Sequence, residues 1–192
     1  LFKGKEGLST AFLDRIGPWF IVSSIANAAW IFSWHFYMIL VSMVLMLVLL
    51  VSIAFAYRAI CSAPLSRMEK VFVRLPFSLY LGWITIAAIA NAAALLVSVG
   101  WNGFGVPDTV WTVIVLAAGL LIGAFSTLKN RDFAYGLVLI WAYTGILIKH
   151  LGVFSARYTE VIAAVSVSLG VLLLAVLYVL VVPVQKRRAR RG

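Results

Sequence analysis

Six stretches of this chain are apolar enough and long enough to cross a membrane, and sixteen Lys and Arg residues are distributed very unevenly over the joins between them. The stretches fall near 16–34, 36–57, 76–100, 107–128, 133–149 and 159–184. Each is close to the roughly 20 residues that an α-helix needs to span a hydrocarbon core of about 30 Å. When successive stretches cross in alternate directions, one side receives Lys3, Lys5, Arg15, Arg58, Arg67, Lys70, Arg74, Lys129, Arg131, Lys186, Arg187, Arg188, Arg190 and Arg191. The other side receives only Lys149 and Arg157. That asymmetry obeys the positive-inside rule, and five or seven crossings would scatter the charges. The sequence therefore predicts an all-α, polytopic transmembrane bundle of six helices, in an inner membrane, with both ends cytoplasmic.

Composition supports this reading and removes others. A mean hydropathy of +1.08, with 64% hydrophobic and 11% charged residues, lies far from the averages of soluble domains. The net charge of +10 is confined to short connections and the tail QKRRARR. Topology and attraction to anionic headgroups, at about 1 kcal/mol per basic residue, account for it without nucleic acid. Membrane lipid is the expected partner. Cys61 is the single cysteine, so no disulfide forms within the chain. Its place at the cytoplasmic end of the second segment predicts a reduced thiol.

Local signals place the segment ends. Residues 1–15 read as a polar cytoplasmic loop, and Pro18 is expected in the first turn of the first helix, where a missing N–H is harmless. The link around His35 is so short that the first two segments must form an antiparallel hairpin. The second segment, aliphatic apart from Ser42 and Ser52, is expected to face mostly lipid. Residues 58–74 read as a basic loop, with Pro76 opening the third segment. Gly82, Ala87, Ala88, Ala90, Ala92, Ala93 and Ala94 in that segment are small enough to let a neighbouring backbone come close. Asp108 marks the start of the fourth segment and Asp132 is placed to cap the fifth. Residues 185–192 form a basic cytoplasmic tail.

No segment has a charged residue in its middle third, which disfavours an ion-coupled transporter or a proton pump. Amides and indoles stand there instead. The pentad IANAA occurs around both Asn27 and Asn91, in two helices that cross in the same direction. A buried Asn must hydrogen-bond, and between membrane helices such a bond contributes roughly 0.6 to 2 kcal/mol. It either joins the two helices or contacts a ligand. Asn27 and Trp30 are three apart and share a helix face. Trp83 and Asn91, eight apart, are expected to point the same way. Trp19, Trp34, Trp101 and Trp111 fall near segment ends, the usual place of an interfacial belt. His35 and His150 also sit at boundaries, where a non-ligating role outweighs one as haem or pigment ligand.

These spacings resemble the TspO/MBR family, the tryptophan-rich sensory proteins and mitochondrial translocator proteins. Between Ile16 and Asn102 the chain is similar to that family's third, fourth and fifth helices. Asn27, Ala28, Ala29 and Trp30, followed by Phe32, Trp34 and Phe36, match the third-helix motif, and Pro76, Trp83 and Asn91 match the fifth. The resemblance implies a TspO-like unit at 16–102 and a three-helix membrane extension at 103–184, with the family's first two helices lost, trimmed or lying outside this sequence. It also implies a pocket for a flat apolar ligand, a porphyrin or other tetrapyrrole, held by Asn27, Trp30, Trp34, Trp83 and Asn91. No further cofactor and no metal ligands are expected.

Catalytic patterns are missing from the sequence: there is no Ser-His-Asp constellation, His-Glu-x-x-His, Cys-x-x-Cys or Gly-rich phosphate loop. The expected function is non-enzymatic binding of an apolar or tetrapyrrole ligand, in sensing, regulation or ligand traffic, by a single chain, a homo-oligomer or a larger membrane complex. The rival is an accessory subunit of such a complex, whose small-residue faces and asparagines are protein contacts.

Overall fold

The computed structural model describes residues 10–182; residues 1–9 and the basic tail at 185–192 lie outside the described residues. Six membrane-length helices follow one another: α1 Thr10–His35, α2 Ile39–Ser62, α3 Arg67–Ser98, α4 Asp108–Asn130, α5 Phe133–Gly152 and α6 Thr159–Val181. The expected six-helix bundle is the fold. The end of α2 with Arg58, the end of α4 with Lys129, the turn at Arg131 and the start of α3 fall together at one end, called here the basic end. The opposite end holds the α1–α2, α3–α4 and α5–α6 turns with Lys149 and Arg157.

Two helix starts differ from the sequence expectation, and both involve proline. α1 begins at Thr10, so Pro18 lies inside it and the expected loop at 1–15 is already helical from Thr10. α3 begins at Arg67, within the expected loop. Ser66 Oγ accepts from the Glu69 N–H at 3.3 Å, and Glu69 Oε2 accepts from the Ser66 N–H at 2.8 Å. Two orphan donors are thereby satisfied at once. The helix then passes through a π turn, Lys70–Arg74, into Leu75–Ser98. Pro76 has no N–H to donate and its ring crowds the carbonyl one turn earlier, and the widened turn just ahead of it absorbs that misfit.

The helices form two three-helix units. α1 packs along α2 and α2 along α3, with Ala26, Met46, Leu49, Ile53, Ile84 and Ala88 as their shared core. Phe12, Ile16, Ala56 and Ile60 continue it toward the basic end. In the other unit α6 is held by α4 and α5 around Leu116, Tyr135, Leu139, Tyr143, Val161, Val165 and Leu172. The seam between the units is α3 against α5. A Cβ on Gly82 would stand 3.1 Å from Val138 Cβ and 3.3 Å from the Tyr135 carbonyl, so glycine there allows the close approach. The Tyr135 hydroxyl donates to Thr85 Oγ1 across the seam at 3.1 Å.

α2 meets the expectation of a lipid-facing helix on one side only: Leu40, Val44, Leu47, Val51 and Phe55 are exposed, and the opposite side is covered by protein. Met46, Leu49, Ile53, Ala56 and Ile60 are buried, and Ser42 and Ser52 with them, because α2 lies between α1 and α3. Lipid tails are as apolar as leucine, so an aliphatic helix reads the same whether protein or bilayer covers it.

Candidate functional site

Asp132 organises the basic end. Its Oδ1 accepts from the N–H groups of Ala134 at 3.1 Å and Tyr135 at 3.2 Å, which is the expected cap of α5. Its Oδ2 accepts from the Tyr57 hydroxyl of α2 and lies 3.7 Å from Arg74 Nη2 of α3. The same guanidinium donates to the Asn130 carbonyl, at the end of α4, at 2.8 Å. Arg131, left-handed at φ 47° where α4 stops, donates to the carbonyls of Val179 at 3.1 Å and of Val182 at the end of α6. A carboxylate only 5% exposed is sustained by such partners. Five of the six helices meet in this network.

The residues expected to form one pocket are divided. Asn91 is buried on α3, with its side-chain amide 3.2 Å from Ser42 Oγ of α2. With Oδ1 facing Oγ, its Nδ2 has no partner. Ser42 has one hydrogen, shared with the Ile39 carbonyl at 2.8 Å, so a turned amide donating Nδ2–H to Oγ satisfies both groups. Asn91 therefore joins α3 to α2; it does not tie the two IANAA helices to each other. Asn27 is half-buried on α1. Trp30 packs on the α1–α2–α3 core, stacks on the exposed Trp34 with ring centroids 6.1 Å apart, and buries Nε1 without an acceptor. Trp83 faces elsewhere: it is 47% exposed and lies against Trp141 of α5, with centroids 5.3 Å apart. Eight residues turn a helix by about 80° beyond two full turns. That offset puts Asn91 on the α2 side of α3 and Trp83 beside α5.

A different space opens toward the end opposite the basic one. It is a cleft of 280 Å³ between α3, α4 and α5. α3 and α4 follow one another in the chain but barely touch, since α3 lies on α5 and α4 on α6. Ala90 and Ala93 of α3 line the gap and leave it unfilled, while Gly119 of α4 borders it where the Tyr143 hydroxyl closes in. Of the alanines expected to seat a neighbouring backbone, Ala88 enters the core while these two face the cleft.

Ile86, Ile89 and Ile146 give the cleft apolar walls, and Lys149, His150 and Phe154 form its mouth. His150 Nδ1 is 2.9 Å from the Ile146 carbonyl. A carbonyl can only accept, so Nδ1 carries the hydrogen and Nε2 is left to meet a ligand. Lys149 Nζ lies 5.5 Å from the Phe154 ring centroid. The Tyr143 hydroxyl is held by the Leu116 carbonyl at 2.6 Å and braces α5 against α4. Sequence reasoning missed this site, although its signals were present: small residues on two helices, and one of the two basic residues on that side next to a histidine.

Among the described residues, no three His, Cys, Asp or Glu side chains come together to hold a metal ion. No curated protein and no solved structure matches the chain. A family model described as TSPO-like protein matches residues 3–179. That match runs through all six helices and both three-helix units. The protein is thus an integral membrane protein, and, as the Asn27–Trp30 and Trp83–Asn91 motifs indicated, the chain belongs to the TSPO-like protein family.

Proposed function

We propose that the protein binds a flat apolar ligand with an acidic group in the cleft between α3, α4 and α5, and acts without catalysis in sensing, regulation or traffic of that ligand. A porphyrin or related tetrapyrrole is the ligand class that the likeness to TspO/MBR proteins implies. The supporting observation is the division within the cleft: Ala90, Ala93 and Ile89 offer apolar surface, while Lys149 and His150 stand at the mouth. Such a site holds a ring by burial and dispersion and orients it with a few polar groups. A carboxylate beside Lys149 would gain a charge-assisted hydrogen bond. At 280 Å³ the cleft lies just below the usual range of about 300–1,000 Å³ for small-molecule sites. A porphyrin therefore enters edge-on, with the rest of its ring against Phe154 and lipid. Under the positive-inside rule the basic end faces the cytoplasm of an inner membrane, and the mouth opens on the other side.

A second placement, on Asn27, Trp30, Trp34, Trp83 and Asn91, draws support from one buried donor without an acceptor, Trp30 Nε1. Titration with protoporphyrin in nanodiscs, followed by porphyrin absorbance and tryptophan quenching, separates the two. The cleft reading expects saturable one-site binding, weakened about tenfold or more by Ala93→Phe, which fills the space, and unaltered by Trp30→Phe with Trp83→Phe. The reverse pattern moves the ligand to the α1–α2–α3 unit. Quenching no greater than that of an unrelated membrane protein overturns ligand binding and favours a structural subunit, whose partners would be sought in native membranes.

A further inference from the structure

The basic end has two recesses that share a pair of cations. One is a groove of 190 Å³ between the π turn of α3 and the start of α5, walled by Val71, Leu75, Phe133 and Ala134. The other, of 290 Å³ and more polar, lies beside the α2–α3 connection at Ala63, Pro64 and Leu65. Lys70 and Arg74 line both. Arg131 also borders the first groove, so three cations stand there against the single carboxylate of Asp132. Arg74 and Arg131 already have partners, but Lys70 is exposed and has no salt-bridge partner among the described residues. Ser78 also lines the groove; it is 1% exposed and its hydroxyl has no hydrogen-bond partner. A serine on a helix commonly satisfies itself on the carbonyl one turn back. A buried hydroxyl left unpaired costs about 1–3 kcal/mol unless something else fills the role.

We propose that this end binds an anionic phospholipid, with its phosphate at Lys70 and Arg74, its polar headgroup toward the recess at Ala63–Leu65, a glycerol ester carbonyl accepting from the Ser78 hydroxyl, and an acyl chain along Val71, Leu75, Phe133 and Ala134. An excess of positive charge selects a phosphate, and the attached apolar groove selects a lipid over the free anion. The position on the side with most Lys and Arg is where anionic headgroups are attracted to membrane proteins.

The test uses the full chain in a neutral detergent, measuring thermal unfolding and lipid retention by native mass spectrometry with dioleoyl phosphatidylglycerol, dioleoyl phosphatidylcholine or inorganic phosphate added. Phosphatidylglycerol is expected to be retained and to raise the unfolding temperature more than phosphatidylcholine, with inorganic phosphate having little effect. Lys70→Gln is expected to lower the preference for phosphatidylglycerol about fivefold, whereas Lys129→Gln, an equal loss of charge at the same end but outside both recesses, leaves it intact. Ser78→Ala is expected to stabilise the lipid-free protein and narrow the gain from phosphatidylglycerol. Equal retention of the two lipids overturns the proposal. So does an equal effect of Lys70→Gln and Lys129→Gln, which would mean diffuse surface attraction alone. Full stabilisation by inorganic phosphate would reduce the site to one for free phosphate and overturn the lipid.

Discussion

The two ends of the bundle are held together by different means. At the basic end, Asp132, Tyr57, Arg74 and Arg131 connect five helices through side-chain hydrogen bonds. At the opposite end, among the described residues, polar contacts reach only between pairs: Asn91 with Ser42, Tyr143 with the Leu116 carbonyl, and Trp111 Nε1 with the Gly103 carbonyl at 2.9 Å. Of the five non-glycine residues at positive φ among the described residues, four also lie there, Tyr37, Phe104, Ser155 and Ala156, with φ between 47° and 57°. One end is pinned and the other is closed by strained turns. The cleft lies where consecutive helices α3 and α4 are left unpinned, in keeping with the tendency of binding regions to occupy the less stable part of a fold.

The largest effect is expected at the pinned end. Asp132→Ala removes a cap and strands Arg74, and should cost about 3–5 kcal/mol, read as a lower unfolding temperature in detergent. Tyr57→Phe should cost less, about 1.5–3 kcal/mol, because one charge-assisted bond is lost while the cap stays. If both variants unfold like the parent protein, the network does not hold this end. Gly119→Ala comes next. Its Cβ would stand 2.7 Å from the Tyr143 hydroxyl, and displacing that group from the Leu116 carbonyl should cost about 1–3 kcal/mol. The smallest change has the opposite sign. Ala156→Gly removes a left-handed strain of roughly 1–2 kcal/mol per residue, partly offset by added chain entropy, so unfolding should shift up slightly. A fall instead would show that the turn at 153–158 is not strained.

How much of this the sequence shows follows from where information about a membrane protein resides. The six crossings are legible because length, hydropathy and the Lys/Arg distribution all constrain them, and the Asp132 cap is legible because capping is local. The burial of α2 and the facing of Trp83 are not. An apolar helix carries little amphipathic signal in lipid, and which neighbour a face meets depends on helix order. Consecutive elements are usually adjacent, but here α3 lies on α5 and α4 crosses to α6. That one rearrangement opens the cleft, while the offset of about 80° between Trp83 and Asn91 along α3 turns them to different neighbours. The π turn at Lys70–Arg74 was hidden for another reason: the SAPLSRMEK stretch reads as loop until the reciprocal Ser66–Glu69 cap is seen to start a helix.

A crystal structure grown from a lipid mesophase with protoporphyrin bound shows directly where the ligand sits. The ring is expected wedged between α3 and α4 over Ala93 and Gly119, reaching Phe154, with a carboxylate within hydrogen-bond distance of Lys149 Nζ or His150 Nε2. A ring seated against Trp30 and Asn91, or on the Trp83–Trp141 pair, with the cleft filled only by lipid, would contradict that placement.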